Sequence, residues 1–356
     1  MRIIQIIDSL EAGGAEMMAV NYANLLAEKI AFSGIVATRK EGNLKLLIDK
    51  KVPYLFLNKN GTADFKAVFK LRAFCKQHKI QIVHAHGTSF FIAFCLKMIF
   101  PRISIVWHDH YGLSEFLSTR KSIPLKITSL FFKGIISVNK LLQEWAKKTL
   151  FCNEVIYLPN FSSPKKVTVR QTVLRGTDGK KILCLANLRP QKNHFLLLEV
   201  AKKTVEQFPE WSFHIVGKDF GDDYSKAIRE MVVTDNLDRN VYFYDSVNDT
   251  DYVIEQADIA LLTSDSEGLP VSLLEYGLYK KPVVVTNVGE ISSVITDGFN
   301  GMLVPSNDAK LFTEVLIDLI KNTSLRKNLG ESLYETIKLS HSGDAIVGHY
   351  LEWLKK

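Results

Sequence analysis

Two carboxylates eight residues apart are the strongest chemical feature of this sequence. Glu267 lies in a segment rich in turn residues, 265–270 (DSEGLP), and Glu275 lies inside an apolar stretch with helical periodicity. A buried carboxylate costs free energy unless it is paired or binds a ligand. The loop carboxylate could bind sugar hydroxyls, and the helical one could accept hydrogen bonds from both hydroxyls of a ribose. The loop amides of Gly268 and Leu269 could bind phosphate or sugar oxygens. Burial beside a structural Arg or Lys is the alternative.

A basic loop precedes this segment. Residues 187–194 (NLRPQKNH) follow an apolar run and lead into a helix-period segment. Arg189 offers a planar fork of donors and Lys192 a point charge, and the start of a helix also favours an anion. The pattern therefore predicts a diphosphate site, with a solvated basic loop as the alternative.

A glycine pair follows the first apolar run. Gly13 and Gly14 lead directly into a predicted helix through Glu16. Glycines let a ligand approach the backbone, and a helix N-terminus offers free N–H groups to an anion. The spacing is not G-x-G-x-x-G, and no acidic residue ends the second strand, so a dinucleotide site is not predicted. A plain strand-to-helix turn is the alternative.

Histidines cluster at two predicted strand ends, in residues 84–87 (HAHG) and 107–110 (WHDH). The His-x-His spacing places both side chains of a pair on one face of a strand, which could bind a metal. No further carboxylate or cysteine lies at a metal-ligand spacing, so we predict no metal site. We expect His84, His86 and His110 to contact a polar substrate, and structural histidines are the other alternative.

The elements that position these residues alternate along the chain. Apolar strands, each followed by a helix-period segment, are typical of parallel doubly wound sheets, which bind ligands beyond the carboxyl ends of their strands. The first half has predicted strands at 2–7, 34–38, 80–84, 103–108, 134–138 and 155–158, and a linker follows at 160–181. The pattern restarts with strands at 182–188, 211–216, 241–244, 259–263 and 283–287, and ends in predicted helices at 310–321 and 337–355. The sequence thus predicts two Rossmann-like α/β domains.

Composition limits the class of protein. The 356 residues are 47% hydrophobic and 23% charged, as in ordinary globular proteins. No apolar run approaches the ~20 residues of a membrane span, and the N-terminus lacks a secretory signal pattern. The four cysteines are scattered, which does not indicate a disulfide framework. We therefore expect a cytoplasmic protein. Residues 1–170 carry 25 Lys and Arg against 11 Asp and Glu, and the rest carry 20 against 27. A basic first half suggests an anionic partner, although the charge is not arranged in the stripes typical of nucleic-acid binding.

In order and spacing together, these motifs resemble the retaining glycosyltransferases of family 4. The resemblance spans essentially the whole chain and includes LPN at 158–160 and KPVVVTNVG at 281–289. It implies the GT-B fold, in which two Rossmann-like doubly wound α/β domains face each other across a cleft. We expect an N-terminal acceptor-binding domain at 1–163, a nucleotide-sugar-binding domain at 164–338, and a C-terminal helix at 339–356 that packs towards the first domain.

The resemblance also implies roles for single residues. Glu275 would hold the nucleotide ribose, Glu267 the donor sugar, and Arg189 and Lys192 the diphosphate, while His108 would lie beside the anomeric carbon, so that His108 and Glu267 are the predicted catalytic residues. The predicted donor-binding set is Gly13, Gly14, Asn187, Arg189, Lys192, Gly217, Glu267, Gly268, Leu269, Pro270, Val271 and Glu275. Glu16, His84, His86 and His110 are the predicted acceptor or sugar contacts. No cofactor and no metal are expected, and the donor is expected to be a UDP-sugar rather than a GDP-sugar.

The sequence departs from the family pattern around the donor pocket. Asn187 stands where an Arg is common, and Arg189 is its inferred substitute. Glu290 and Ser293 replace the common second glycine and the following glutamate, and Tyr276-Gly277 replaces Ala-Met. The identity of the donor sugar is therefore not carried over.

The basic half suggests where the enzyme works. Segment 120–133 (RKSIPLKITSLFFK) mixes basic and apolar residues, and 90–100 adds an apolar stretch. Such a surface could bind an anionic membrane, at about 1 kcal/mol per nearby Lys or Arg. We hypothesise peripheral attachment to the inner face of the cytoplasmic membrane, a glycan or polyprenyl-linked acceptor, and a role in bacterial surface polysaccharide synthesis. A core helix at 127–132 is the alternative.

Two other functions stay open at this point. A nucleotide-sugar 2-epimerase of the same fold would isomerise the donor without an acceptor. An inactive nucleotide-binding adaptor would bind the nucleotide without turnover.

Overall fold

The computed structural model describes residues 1–61, 64–112, 117, 120–161 and 170–356. The chain divides into two compact units, Met1–Phe161 together with Gly343–Lys356, and Ser162–Ser342. Of the predicted linker, residues 162–169 lie outside the described residues, and so does the predicted domain boundary at 163 and 164. Within the described ranges, no helix combines the length and the apolar character that crossing a bilayer requires.

The described residues of the first unit form a seven-stranded parallel sheet flanked by helices. The strands are β1 (Arg2–Ser9), β2 (Phe32–Lys40), β3 (Tyr54–Phe56), β4 (Ile82–His86), β5 (Ser104–Asp109), β6 (Phe132–Ser137) and β7 (Val155–Tyr157). They lie in the order β3-β2-β1-β4-β5-β6-β7. The successive residues Ile3 and Ile4 point to opposite faces and are both fully buried, as is expected when helices cover both sides. The helices are α1 (Gly14–Lys29), α2 (Phe65–Gln77), α3 (Phe90–Ile99), α4 (Ile123–Thr128) and α5 (Lys140–Thr149).

The described residues of the second unit form a six-stranded parallel sheet of the same type. Its order is β10-β9-β8-β11-β12-β13. The strands are β8 (Lys181–Leu185), β9 (Ser212–Val216), β10 (Val241–Tyr244), β11 (Ile259–Leu262), β12 (Val283–Thr286) and β13 (Met302–Val304). The helices are α6 (His194–Gln207), α7 (Asp223–Thr234), α8 (Thr250–Gln256), α9 (Val271–Leu278), α10 (Ala309–Lys321) and α11 (Thr323–Ser340).

The predicted single helix at 337–355 is wrong, because two helices occupy this stretch. Helix α11 ends at Ser340, and α12 (Gly343–Lys355) begins after His341 and Ser342. The break falls where the chain passes from the second unit back to the first. A continuous helix would have carried these residues onward in the direction of α11.

Other differences from the sequence prediction are local. The predicted strand 182–188 ends at Leu185, and the residues after it form the basic loop. The apolar stretch 90–100 is helix α3. Strands β3 and β13, each of three residues at a sheet edge, were not predicted.

The sheet order determines where ligands can bind. In the first unit the order reverses between β1 and β4, and in the second unit between β8 and β11. Ligands of open α/β sheets bind outside the carboxyl ends of the strands at such a switch point. The glycine pair follows β1, and the histidines lie in β4 and β5 or directly after β5. The basic loop follows β8, and Glu267 follows β11.

Candidate functional site

Two loops of the second unit lie side by side at its switch point. The Asp265 N–H donates to the carbonyl of Gln191 at 2.9 Å, and the Thr263 hydroxyl donates to the carbonyl of Lys192 at 3.0 Å. Asn193 adopts the left-handed conformation (φ 47°), caps α6 by accepting from the Leu196 N–H, and donates to Asp265. These bonds hold the basic loop against the loop that carries Glu267.

The central contact of these loops is an ion pair between Lys192 and Glu267. Lys192 Nζ lies 2.5 Å from Glu267 Oε1, and the Ser264 hydroxyl donates to the same oxygen at 2.7 Å. The side chains of Lys192 and Glu267 are 22% and 9% exposed. The pair lies at a partly open strand end, where an ammonium can bind an anion and a carboxylate can bind hydroxyls.

The remainder of the basic loop packs against the loop after β9. Asn187 accepts from the Lys218 N–H at 2.8 Å, and a side chain at Gly217 would collide with the carbonyl of Ala186. The exposed Arg189 guanidinium lies 4.0 Å from the centre of the Phe220 ring, and Lys218 Nζ lies 5.3 Å from it. Asn187 therefore joins two loops, and Lys218 is a third cation here. Lys218 was not among the predicted site residues, although its position after a glycine at a strand end was a usable signal.

The segment after Glu267 is a buried turn into α9. Leu269 is 2% exposed and Glu275, one turn into α9, is 7% exposed. Gly289, with a positive φ of 56°, lies against the Glu267 carbonyl, and the Glu290 N–H donates to Gly268 at 3.1 Å. The loop after β12 thus packs against the backbone of the loop that carries Glu267. The predicted contacts of Gly268, Leu269, Pro270, Val271 and Glu275 with a nucleotide stay predictions.

In the first unit, the glycine pair starts α1. Gly13 is extended and its carbonyl accepts from the Met17 N–H at 2.9 Å, while Gly14 is exposed. The Glu16 carboxylate turns back against Gly13. Glu16 therefore lies beyond the carboxyl end of β1, at the switch point of the first unit.

A cavity of about 670 Å³ opens at this point of the first unit, a volume in the range of small-molecule sites. Its lining includes Asp8, Glu16 and His110 together with Trp107, Asp109 and Arg120. The Asp8 carboxylate accepts from the hydroxyls of Thr38 and Thr88. The Asp8 and Glu16 carboxylates and the His110 imidazole suit a ligand that is rich in hydroxyl donors.

The four histidines form a two-by-two array next to this cavity. Across β4 and β5, His84 pairs with His108 at 3.2 Å and His86 with His110 at 3.0 Å. Along the strands, the ring centres of His84 and His86 are 4.4 Å apart and those of His108 and His110 are 4.0 Å apart. Tyr22 contacts the array edge-on. Burial lowers the pKa of all four, that of His110 to about 3, so the rings are neutral at pH 7.

Two of these histidines line the cavity, the half-buried His110 and the fully buried His86. His84 and His108 are also buried and are not among its lining residues. The catalytic role of His108 stays a prediction, and so do the substrate contacts of the other three.

Three of these imidazoles could in principle hold a metal. Nitrogens of His84, His86 and His108 lie within 4.8 Å of one another. However, the bonded pairs have nearly parallel rings, 14° and 19° apart, whose facing nitrogens are joined by hydrogen bonds across the strands. The nearby Asp109 carboxylate is bound by Arg120 at 2.7 and 2.8 Å. Two further ring nitrogens, His84 Nδ1 and His108 Nε2, are buried without a hydrogen-bond partner among the described residues. The expectation of no metal site stays a prediction.

Known glycosyltransferase families match both halves of the chain. Residues 12–161 match the family "Glycosyltransferase Family 4", and residues 165–336 match "Glycosyl transferases group 1". An uncharacterized glycosyltransferase of Haemophilus influenzae is 25% identical over 88% of each chain. An Escherichia coli UDP-Gal:α-D-GlcNAc-diphosphoundecaprenol α-1,3-galactosyltransferase is 24% identical, with 85% of this chain and 83% of that protein covered.

Solved structures share the fold. Anabaena HepE in complex with UDP and glucose superposes with a TM-score of 0.81 at 16% identity, covering 100% of this chain and 99% of that one. Staphylococcus aureus TarM, in a complex that contains UDP and α-GlcNAc-glycerol, gives 0.80 at 16% identity with both chains fully covered. The expected fold class is confirmed by these structures and by the two parallel sheets. The chain is a member of the family 4 glycosyltransferases and has the GT-B fold.

Proposed function

We propose that this transferase moves a sugar, with retention and without a metal ion, from a nucleoside-diphosphate sugar to a glycan or lipid-linked acceptor. The observation that carries this proposal is the Lys192–Glu267 pair at the switch point of the second unit. This pair places an ammonium group that could bind the diphosphate next to a carboxylate that could bind the sugar. We further propose a role in bacterial surface polysaccharide synthesis, because relatives act on a diphosphoundecaprenol acceptor or are named for O-antigen biosynthesis.

The second unit is the proposed donor domain. Arg189, Lys192 and Lys218 place three cations on two adjacent loops, enough to balance a diphosphate. Glu275 is buried on α9, where a carboxylate could accept from ribose hydroxyls. Complexes of HepE and TarM contain UDP, which favours UDP as the nucleotide.

The proposed reaction exchanges one C–O bond for another on the same face of the sugar. The bond between the anomeric carbon and the diphosphate breaks, and a bond to the acceptor oxygen forms. The acceptor proton passes to the departing phosphate oxygen, so no protein base is required. Lys192 and Arg189 stabilise the negative charge that develops on the diphosphate, as fixed cations in a partly desolvated site do. Glu267 orients the sugar through its hydroxyls.

Calorimetric titration with UDP, GDP and ADP tests the donor assignment. We expect UDP to bind and the other two to bind more weakly. Binding of none of the three, followed by no binding of intact UDP-sugars, would contradict the proposal.

Metal independence gives a second test. Because three cations already face the diphosphate site, we expect UDP-sugar consumption to be unchanged after EDTA treatment and gel filtration. Loss of activity that Mg²⁺ or Mn²⁺ restores would show that the side chains do not replace a metal. A dialysis control without EDTA separates this effect from loss during handling.

The first unit is the proposed acceptor domain. Its 670 Å³ cavity has room for a sugar, and Asp8, Glu16 and His110 offer acceptors for hydroxyls. Lys121, Pro124 and Leu125 from the start of α4 also line it. The α4 segment therefore reaches from the cavity to the surface.

We propose that the outer side of this segment contacts an anionic membrane. Ile123, Ile127 and Leu130 are 75%, 55% and 61% exposed, and Lys121 and Lys126 are interspersed with them. An exposed apolar surface with lysines matches the interfacial zone of anionic lipids. Its continuity with the cavity would place a lipid-linked sugar directly at the acceptor site. The enzyme would then work in the cytoplasm, on the inner face of the membrane.

Vesicle flotation tests this surface. The protein should float with phosphatidylcholine vesicles that contain phosphatidylglycerol, and much less with phosphatidylcholine alone. Binding should weaken at about 1 M salt, where the screening length is about 3 Å. The Ile127→Asp/Leu130→Asp variant should stay in the soluble fraction.

Leu46→Asp is the matched control, because Leu46 is 73% exposed on another part of the same unit. It should float like the unmodified protein. Equal flotation of the control and the double variant would overturn the membrane proposal.

A further inference from the structure

A chain of hydrogen bonds crosses three adjacent strands of the first unit and ends at the cavity. Gln5 lies in β1, His86 in the neighbouring β4, and His110 directly after β5. Gln5 Oε1 lies 2.9 Å from His86 Nε2, and His86 Nδ1 lies 3.0 Å from His110 Nε2. Gln5 and His86 are fully buried, and His110 lines the cavity.

The hydrogen bond between Gln5 and His86 determines which ring nitrogen carries the proton in His86 and in His110. An amide oxygen only accepts, so His86 Nε2 must carry the proton of that hydrogen bond. A neutral imidazole has one N–H, so His86 Nδ1 is an acceptor and the His110 Nε2–H donates to it. The remaining polar atom of His110 is then an unprotonated Nδ1. Burial lowers the pKa of both rings, which keeps each of them neutral at pH 7.

We propose that Gln5, acting through His86, is a positioning residue that fixes the His110 tautomer, so that His110 Nδ1 accepts a hydrogen bond from a hydroxyl of the acceptor. Asp8 and Glu16 line the same cavity, so a polyhydroxylated ligand would find further acceptors for its hydroxyls there. The identity of the ligand as the acceptor sugar rests on the proposed function, whereas the tautomer does not.

The tautomer can be measured without any activity. Long-range ¹H–¹⁵N NMR of the full chain labelled with ¹⁵N-histidine distinguishes protonated from unprotonated ring nitrogens, and the His110→Gln variant assigns the His110 signals. We expect a protonated Nε2 and an unprotonated Nδ1 on His110. The reverse pattern would mean that the Gln5 amide donates, and would overturn the proposal.

Two variants test the role of Gln5. Gln5→Met keeps the length of the side chain but removes the amide, so the His110 signals should shift to a mixture of tautomers. Tyr22→Phe removes a buried hydroxyl from a ring 6.2 Å from that of His86, outside the chain of bonds, and should leave the tautomer unchanged. An unchanged tautomer in Gln5→Met would show that Gln5 does not control it. If Gln5→Met does not fold, the pattern of the unmodified protein decides alone.

Kinetics then test the link to the acceptor. Loss of one neutral hydrogen bond predicts an acceptor KM that is about 3–10-fold higher in Gln5→Met, with an unchanged donor KM. A rise in the donor KM instead would contradict an acceptor contact. If no acceptor is turned over, the proposed function is wrong, but the NMR measurement still tests the His110 tautomer independently.

Discussion

Lys192→Ala should bind UDP about 10–150-fold more weakly than the unmodified protein, because a charge-assisted contact contributes about 1.5–3 kcal/mol. The loss of UDP affinity should lie towards the upper end of this range. Without Lys192, the Glu267 carboxylate has no cation 2.5 Å away and repels the diphosphate. Calorimetry gives the affinity, and thermal unfolding shows whether the variant is folded.

Two variants serve as controls for Lys192→Ala. Lys203→Ala removes an exposed lysine that pairs with Glu199 on the surface of α6, and should bind UDP like the unmodified protein. Glu267→Gln should keep most of the affinity for UDP, which has no sugar beyond the diphosphate, but should lose transfer. Full UDP affinity in Lys192→Ala would refute the assignment of this lysine to the phosphates.

Arg120→Met should lower the free energy of unfolding of the first unit by about 3–5 kcal/mol, because it leaves a buried carboxylate without its cation. Arg120 binds Asp109 through two hydrogen bonds, and their side chains are 10% and 1% exposed. The guanidinium also lies 4.3 Å from the Trp145 ring centre. Denaturant unfolding followed by tryptophan fluorescence reports this loss.

The decrease in the free energy of unfolding that Arg120→Met causes should become smaller as the pH falls. Burial raises the pKa of Asp109, while the hydrogen bonds and charge of Arg120 oppose that rise. In Arg120→Met the folded pKa therefore rises further above the unfolded value. Asp109 is then an unpaired buried anion only above its folded pKa, so protonation on acidification removes much of the penalty. A loss that grows on acidification would contradict this account.

Arg229→Met is the matched control for Arg120→Met. Arg229 also binds an aspartate, Asp219, and lies 4.6 Å from an aromatic ring centre, but its side chain is 51% exposed. An exposed pair contributes about 0–1 kcal/mol, so the change should be small. The double variant Asp109→Asn/Arg120→Met should be more stable than Arg120→Met alone, since it leaves no buried charge.

Much of the fold could be predicted from the sequence, because its signals are local. Strands such as β1 and β11 are short apolar runs between turn residues, and α6 begins at an Asn cap. The break between α11 and α12 was missed because both sides have helical periodicity, although Ser342 and Gly343 at this point are residues typical of helix ends. The three-residue edge strands β3 and β13 were also missed.

The site was predictable in its residue types but not in its pairings. Alternation along a strand correctly placed His84 and His86 on one face. Their partners, His108 in β5 and His110 directly after it, come from another part of the chain, and only the sheet order brings β4 and β5 together. In the same way, Lys192 and Glu267 are 75 residues apart and meet because β8 and β11 are neighbours. Such pairings depend on topology, which no local pattern encodes.

The most direct test of the central claim is product analysis with the purified enzyme. UDP-galactose, UDP-glucose, UDP-N-acetylglucosamine and GDP-mannose are each incubated with and without a lipid extract that contains diphosphoundecaprenol-linked sugars. We predict that one UDP-sugar releases UDP only when the extract is present, and that mass spectrometry then finds a lipid-linked product larger by one sugar. Isomerisation of a donor without acceptor would indicate an epimerase, and UDP binding without consumption of any donor would indicate an adaptor. Either result would contradict sugar transfer by this chain.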